Sequence, residues 1–138
     1  MYDFYIAAPF FNEYQIEVVE KIKKILSKCN FSYFSPKDEC EILEGRKSTI
    51  QQRLDVFLLN CRGMDYSGRA IVVIDDFDKG VIWEWGYLFA RRKRVFAYTD
   101  FPERGLNIML ELSCEELVHG EIELEEYLGS IRSDSKVT

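Results

Sequence analysis

The chain is short of metal ligands, having one histidine and four cysteines in 138 residues. Cys29, Cys40, Cys61 and Cys114 stand singly, with no C-x-x-C pair and only His119 to complete a set, so neither a zinc site nor a disulfide frame is expected. No G-x-G-x-x-G follows the first strand and no G-x-x-x-x-G-K-[ST] occurs anywhere, which removes support for dinucleotide and P-loop readings. No metal and no cofactor are expected. No apolar run approaches the roughly 20 residues of a membrane span, and no apolar leader segment opens the chain, so the protein reads as cytosolic. Positive charge is scarce too. A formal charge of -6 and a pI near 4.9 argue against a nucleic-acid polymer or an anionic membrane as partner, since both demand a basic face. The one basic run, Arg91, Arg92, Lys93 and Arg94, follows a helix end, where cations favour the dipole. Repeats, linkers and low-complexity blocks are absent, and the length suits one domain, read as 1–132 with a flexible tail at 133–138.

What the chain does have is an alternation of strand and helix patterns. Residues 2–8 read as a strand stopped at Pro9. From Asn12, a fair N-cap, to Cys29, the positions Ile16, Val18, Val19, Ile22, Ile25 and Leu26 recur at helical spacing. Residues 31–35 form a second strand, 37–48 a polar segment long enough to be a binding loop, and 48–59 a helix with Ile50, Leu54, Phe57 and Leu58 inward. Arg62 to Arg69 turn the chain into a β-branched strand, Ile71 to Ile74. Later come a strand at 95–98, a loop at 101–107, a short strand or turn at 108–112 and an acidic helix at 122–131. Right-handed crossovers then give a single doubly wound, mostly parallel five-stranded sheet with helices on both faces, flavodoxin-like or Rossmann-like.

The organising stretch is 71–94, IVVIDDFDKGVIWEWGYLFARRKR. Between Val81 and Ala90 every residue is apolar or Gly except Glu84. An ionised carboxylate among Ile82, Trp83, Trp85, Tyr87 and Leu88 loses solvation worth several kcal/mol unless it is partnered. Glu84 therefore either borders a cavity or rolls outward to pair with the Arg91 to Arg94 cluster. Asp78, just ahead of the helix, is a natural N-cap and can serve a ligand as well.

Sheets of this class bind ligands beyond the carboxyl ends of their strands. Three groups fall at that edge: Tyr5 to Phe11; Asp75, Asp76 and Asp78; and Glu84. Aromatic faces stack on flat heterocycles, and paired carboxylates serve cleavage at an anomeric carbon, one attacking the carbon and the other handling the leaving group's proton. The chemistry suggested is glycosidic. A nucleobase leaving group needs one carboxyl with a raised pKa beside one kept ionised, and the residues alone leave open which is which.

The run Asp78-Lys-Gly-Val-Ile-Trp-Glu84-Trp-Gly86 resembles the D-x-G-x-x-x-E-x-G signature of the nucleoside 2-deoxyribosyltransferase family. Tyr5-Ile-Ala-Ala-Pro-Phe10-Phe11 is similar to its first-strand motif, and Leu106-Asn107-Ile108-Met109 to its C-terminal motif. The resemblance implies exchange of the base of a 2′-deoxyribonucleoside with a free nucleobase, in which Glu84 is the nucleophile of a covalent deoxyribosyl intermediate and the configuration is retained. It further implies that Asp78 holds sugar hydroxyls, Tyr5 orients Glu84, and Phe10 and Phe11 wall the base pocket. Asn107 and Met109 would reach the neighbouring subunit's site, with Asn107 on the 5′-hydroxyl. On their own, Met109 reads as core and Asn107 as a turn residue.

Two positions depart from the pattern. Asn60 stands where the transferases carry an acidic proton donor, although Asp65 is close in sequence. Cys40 stands where a base-reading Gln is sometimes found. The alternatives kept open are hydrolysis of the same bond in deoxynucleosides or their 5′-monophosphates and, from another class, a nucleoside- or nucleotide-binding module without catalysis. The stretch from Tyr5 to Phe11 offers no Gly/Ser cradle for a phosphate, which favours nucleosides. An aromatic content of 14% leaves more large apolar surface than one helix can bury, so a homo-oligomer with shared sites is expected.

Overall fold

The computed structural model describes residues 1–40, 48–101, 103 and 105–137, with side chains described as far as residue 132. The expected binding loop at 37–48 therefore lies largely outside the described residues, as do positions 102 and 104 of the loop at 101–107.

Strands β1 (Tyr2–Ala7), β2 (Tyr33–Phe34), β3 (Ser67–Val73), β4 (Arg94–Thr99) and β5 (Glu116–His119) form one sheet in the order β2-β1-β3-β4-β5. Every neighbouring pair is parallel. The helices are α1 (Glu13–Lys28), α2 (Pro36–Glu39), α3 (Ile50–Asp65), α4 (Lys79–Ala90), α5 (Ile108–Leu112) and α6 (Gly120–Val137). This is the doubly wound class, with the switch in winding direction between β1 and β3.

Period-two alternation divides the core into two layers. Phe4, Ile6, Ile71, Val73, Phe96 and Tyr98 face α1 and α6, and pack with Val18, Ile22, Leu26, Leu124 and Leu128. On the opposite face Tyr5, Ala7, Ala70, Val72, Ile74, Val95 and Ala97 pack with Met64 of α3 and with Val81, Trp85 and Leu88 of α4. Local signals start the helices as the sequence indicates. Asn12 Oδ1 accepts from the Gln15 N–H at 2.8 Å, and Thr49 and Gln52 form a reciprocal capping box at α3.

Four expectations change. The fifth strand is Glu116–His119, whereas 108–112 is the short helix α5. Helix α3 continues through residues 60–65, so no long turn precedes β3, and α6 runs to Val137 rather than ending near 131. Helix α3 also meets the sheet through different residues. Ile50, Leu54, Phe57 and Leu58 are exposed, and the buried positions are Gly63 and Met64. Gly63 allows the close approach, because a Cβ there would fall 2.7 Å from the Phe34 ring. Helix α3 thus packs on the sheet through its last turns, and its outer apolar residues are exposed. Among the described residues, no helix is long and apolar enough to cross a membrane.

Candidate active site

Helix α4 carries the central carboxylate, and its register decides where that carboxylate faces. Val81, Trp85 and Leu88 are buried, and Glu84 belongs to the same 81, 84, 85, 88 stripe. The helix therefore turns Glu84 toward the sheet. The Trp85 indole N–H holds this rotation by donating to the Ser113 carbonyl at 3.2 Å. At the start of α4, Asp78 Oδ2 accepts from the Val81 N–H at 3.0 Å, so the N-cap reading of Asp78 holds. Phe77, immediately before it, adopts φ 45°, a left-handed turn residue between β3 and the cap.

Glu84 accepts a hydrogen bond from the Tyr5 hydroxyl, which reaches it from the centre of β1. Tyr5 is fully buried, with its ring stacked on Phe34 at 5.5 Å and 9°. Loss of solvation raises Glu84 to about 7, the Tyr5 hydrogen bond opposes this, and the Asp78 charge adds to it. Burial and the facing carboxylate hold Tyr5 well above the ordinary tyrosine range, so its proton stays on its own oxygen. Glu84 is thus half-ionised near neutrality and oriented at one oxygen.

The basic cluster does not claim this carboxylate. Arg91 lies over the Tyr87 ring at 4.9 Å and 3.7 Å from Asp65, Lys93 donates to the Asp65 carbonyl, and Arg94 pairs with Glu115. Glu84 instead borders a cavity of about 350 Å³ between α3 and α4, lined by Phe57, Asn60, Cys61, Met64, Gly80 and Trp83. An opening of that size accepts a nucleobase or a sugar. Its mouth is aromatic, with Phe57 and Trp83 at 5.4 Å and Trp83 stacked on Tyr87 at 5.5 Å.

Of the residues singled out in the sequence, Tyr5, Asn60, Asp78 and Glu84 are brought to this one locality. Helix α3 turns Asn60 and Asp65 to different surroundings. Asn60 lines the cavity, whereas Asp65 takes the Tyr87 hydroxyl at 3.0 and 3.1 Å outside it. Phe10 and Phe11 stack on each other at 5.6 Å, and neither is among the cavity's described lining. Asp75 and Asp76 bond on the α1 side. Asp75 accepts from Thr99 and the Asp100 N–H, and Asp76 accepts from Gln15. Asn107 caps α5, accepting from the Leu110 N–H at 3.0 Å. Met109, read on its own as core, is instead 74% exposed on a separate apolar groove of about 420 Å³ between α4 and α5.

Sequence reasoning missed Phe57, Cys61, Met64 and Trp83 as cavity residues. The signal was present, because 57, 60, 61 and 64 form one helical stripe. Ending the helix at 59 hid it.

Comparison with known proteins follows the same lines. The family model described as nucleoside 2-deoxyribosyltransferase matches residues 4–116. The solved 2-deoxyribosyltransferase from the psychrotolerant bacterium Bacillus psychrosaccharolyticus is similar at a TM-score of 0.79 and 26% identity, covering 88% of this chain and 89% of that one. A conserved protein from Enterococcus faecalis V583 shares the fold at a TM-score of 0.72 and 18% identity, over 94% of this chain and 98% of that one. A CMP N-glycosidase from Clostridium botulinum shares it at 0.58 and 14%, over 94% and 96%. Comparison with curated proteins gives no match. With a match over most of its length and a half-buried, tyrosine-bound glutamate beside a base-sized cavity, the chain belongs to the nucleoside 2-deoxyribosyltransferase family.

Proposed function

We propose that the protein exchanges the base of 2′-deoxyribonucleosides through a deoxyribosyl ester on Glu84. The observation that carries this reading is the Tyr5 to Glu84 hydrogen bond at the wall of the cavity. One Glu84 oxygen attacks C1′ while the C1′–N bond breaks and its electron pair goes to the base. The departed base takes up a proton from water, a second base attacks C1′ through a ring nitrogen that gives its proton to water, and the ester breaks, so two inversions retain the configuration. Tyr5 holds the other oxygen. Asp78 uses Oδ2 as the helix cap, and its Oδ1 is the oxygen that would accept from a sugar hydroxyl. Trp83 and Phe57 would stack on the base.

Among its described residues the cavity lining has no Lys or Arg, which favours a nucleoside over a nucleotide. Exposure of the protein to a 2′-fluoro-arabinosyl nucleoside, whose fluorine should slow loss of the sugar from the enzyme, should leave an adduct on intact protein, mapped by mass spectrometry to a peptide containing Glu84. Product formation without an adduct, or an adduct elsewhere, would overturn the mechanism. Running the same reaction with and without acceptor base separates transfer from hydrolysis.

The α4/α5 groove supports a shared site in a homo-oligomer. Phe89, Ile108, Met109 and Leu112 are exposed together there, an apolar surface that a lone subunit rarely leaves in water. Asn107 and Met109 would extend from it toward a second copy's cavity. Light scattering on active protein should report an oligomer, and an active monomer at assay concentration would sink the shared site.

A further inference from the structure

Asn60 stands at the cavity wall with Glu84, and its carboxamide is held from behind. Cys40 Sγ donates to Asn60 Oδ1 at 2.9 Å. A thiolate could only accept and would draw the Nδ2 end instead, but burial, with the charges of Glu39 and Glu84, pushes the Cys40 thiol up to about 11. The sulfur keeps its proton at neutral pH and acts as donor. No other hydrogen bond to the Asn60 side chain occurs among the described residues, so the two N–H groups of Nδ2 are what the side chain offers the cavity.

We infer that Cys40 fixes Asn60 as a hydrogen-bond donor to the departing base, which leaves as an anion held by an amide N–H instead of a neutral molecule protonated by a carboxyl. This rests on the transferase reading above. As the Glu84 to C1′ bond forms, the C1′–N electron pair passes into the base and spreads to the acceptor flanking the glycosidic nitrogen, the 2-oxo oxygen of a pyrimidine or N3 of a purine. Asn60 Nδ2 donates to that acceptor, and the base takes its proton from water afterwards. An amide stabilises the charge without cancelling it, so release depends on how well the base itself carries a negative charge. The substrate class is a nucleoside whose base has such an acceptor and, once free, an acidic N–H at the nitrogen that had carried the sugar. Asn60 would be the residue in contact with the base, and Cys40 a positioning residue.

The test uses 2′-deoxyuridines that differ only at C5, which tune the acidity of the base while keeping the 2-oxo acceptor. With the wild-type protein, kcat/KM should rise by at least about tenfold from the 5-methyl to the 5-fluoro compound, and Asn60→Asp, which restores an acid, should flatten the series. Cys40→Ser keeps a donor and should keep the slope. Cys40→Ala should lose about tenfold in kcat with little change in KM, because the freed amide can turn. A flat wild-type series, or Cys40→Ala matching the wild type throughout, would overturn the inference. A second readout separates it from the transferase reading. In Glu84→Gln, the ¹⁵N-labelled Asn60 amide, assigned by its loss in Asn60→Asp, should shift on titration with 2′-deoxyuridine. A shift without wild-type turnover discards the transferase and keeps the donor; turnover without a shift discards the donor alone.

Discussion

Glu84→Gln is expected to abolish base exchange, with kcat reduced by at least about 10³-fold, the scale of loss when a nucleophile is removed. Gln preserves the shape and the oxygen that accepts from Tyr5, so the loss reads chemistry and not packing. Its effect on stability runs the other way. Burial raises the folded-state carboxyl from 4.5 to about 7, so between those values the native protein binds more protons than the unfolded chain. The wild type thus loses stability as pH climbs through this window, by up to about 3 kcal/mol above it, whereas the Gln variant has nothing there to ionise. Glu84→Gln should melt higher than wild type at pH 8 and level with it near pH 4. Thermal melts at the two pH values, together with a chromatographic exchange assay, check both halves. Retained exchange would reject the covalent mechanism, and equal melting at pH 8 would mean that the carboxylate is solvated in solution.

Tyr5→Phe is expected to lower kcat/KM at pH 7 by about 10- to 100-fold, the worth of a hydrogen bond to a charged group. The ring and its stacking on Phe34 remain. What disappears is the interaction that draws Glu84 downward, so the Glu84 carboxyl moves further above 7. The acid limb of the kcat/KM profile, falling near pH 7 in the wild type, should shift to higher pH, and part of the deficit should be recovered in alkaline buffer. A variant that is slow at every pH with an unshifted limb would make Tyr5 a matter of geometry alone. Superimposable profiles would remove Tyr5 from the mechanism.

Both predictions concern a pair that the chain separates by 79 positions. Each member was legible separately. Tyr5 sits in a strand pattern ended by proline, and Glu84 is the lone carboxylate of an apolar helix. Alternation in β1, β3 and β4 and the 3.6-residue spacing of α1 likewise reproduce the packing found, because a strongly periodic stripe has one low-energy way to meet a core. Weak patterns failed. The run at 108–112 is too short to have a period, and β2 has two residues, so neighbours set their states. In α3 the spacing of the apolar residues Ile50, Leu54, Phe57 and Leu58 predicts a core-facing stripe, yet all four are exposed. Sequence cannot tell an inward stripe from one that lines a cavity or awaits a second copy, because all of them avoid water alike.

The amino-acid sequence by itself determined the class of fold, the order of most of its elements and the few residues able to do glycosidic chemistry, since these follow from local periodicity, caps and the cost of burying a charge. Only the tertiary structure decided that Glu84 turns to Tyr5 and away from the arginines, that Asn60 and not Asp65 shares its cavity, and that Phe57 and Trp83 line that cavity. Those outcomes depend on helix rotation against the sheet. Rotation is set by the summed packing of Val81, Trp85, Leu88, Met64 and Gly63 on strands distant in the chain, which no short stretch of sequence contains.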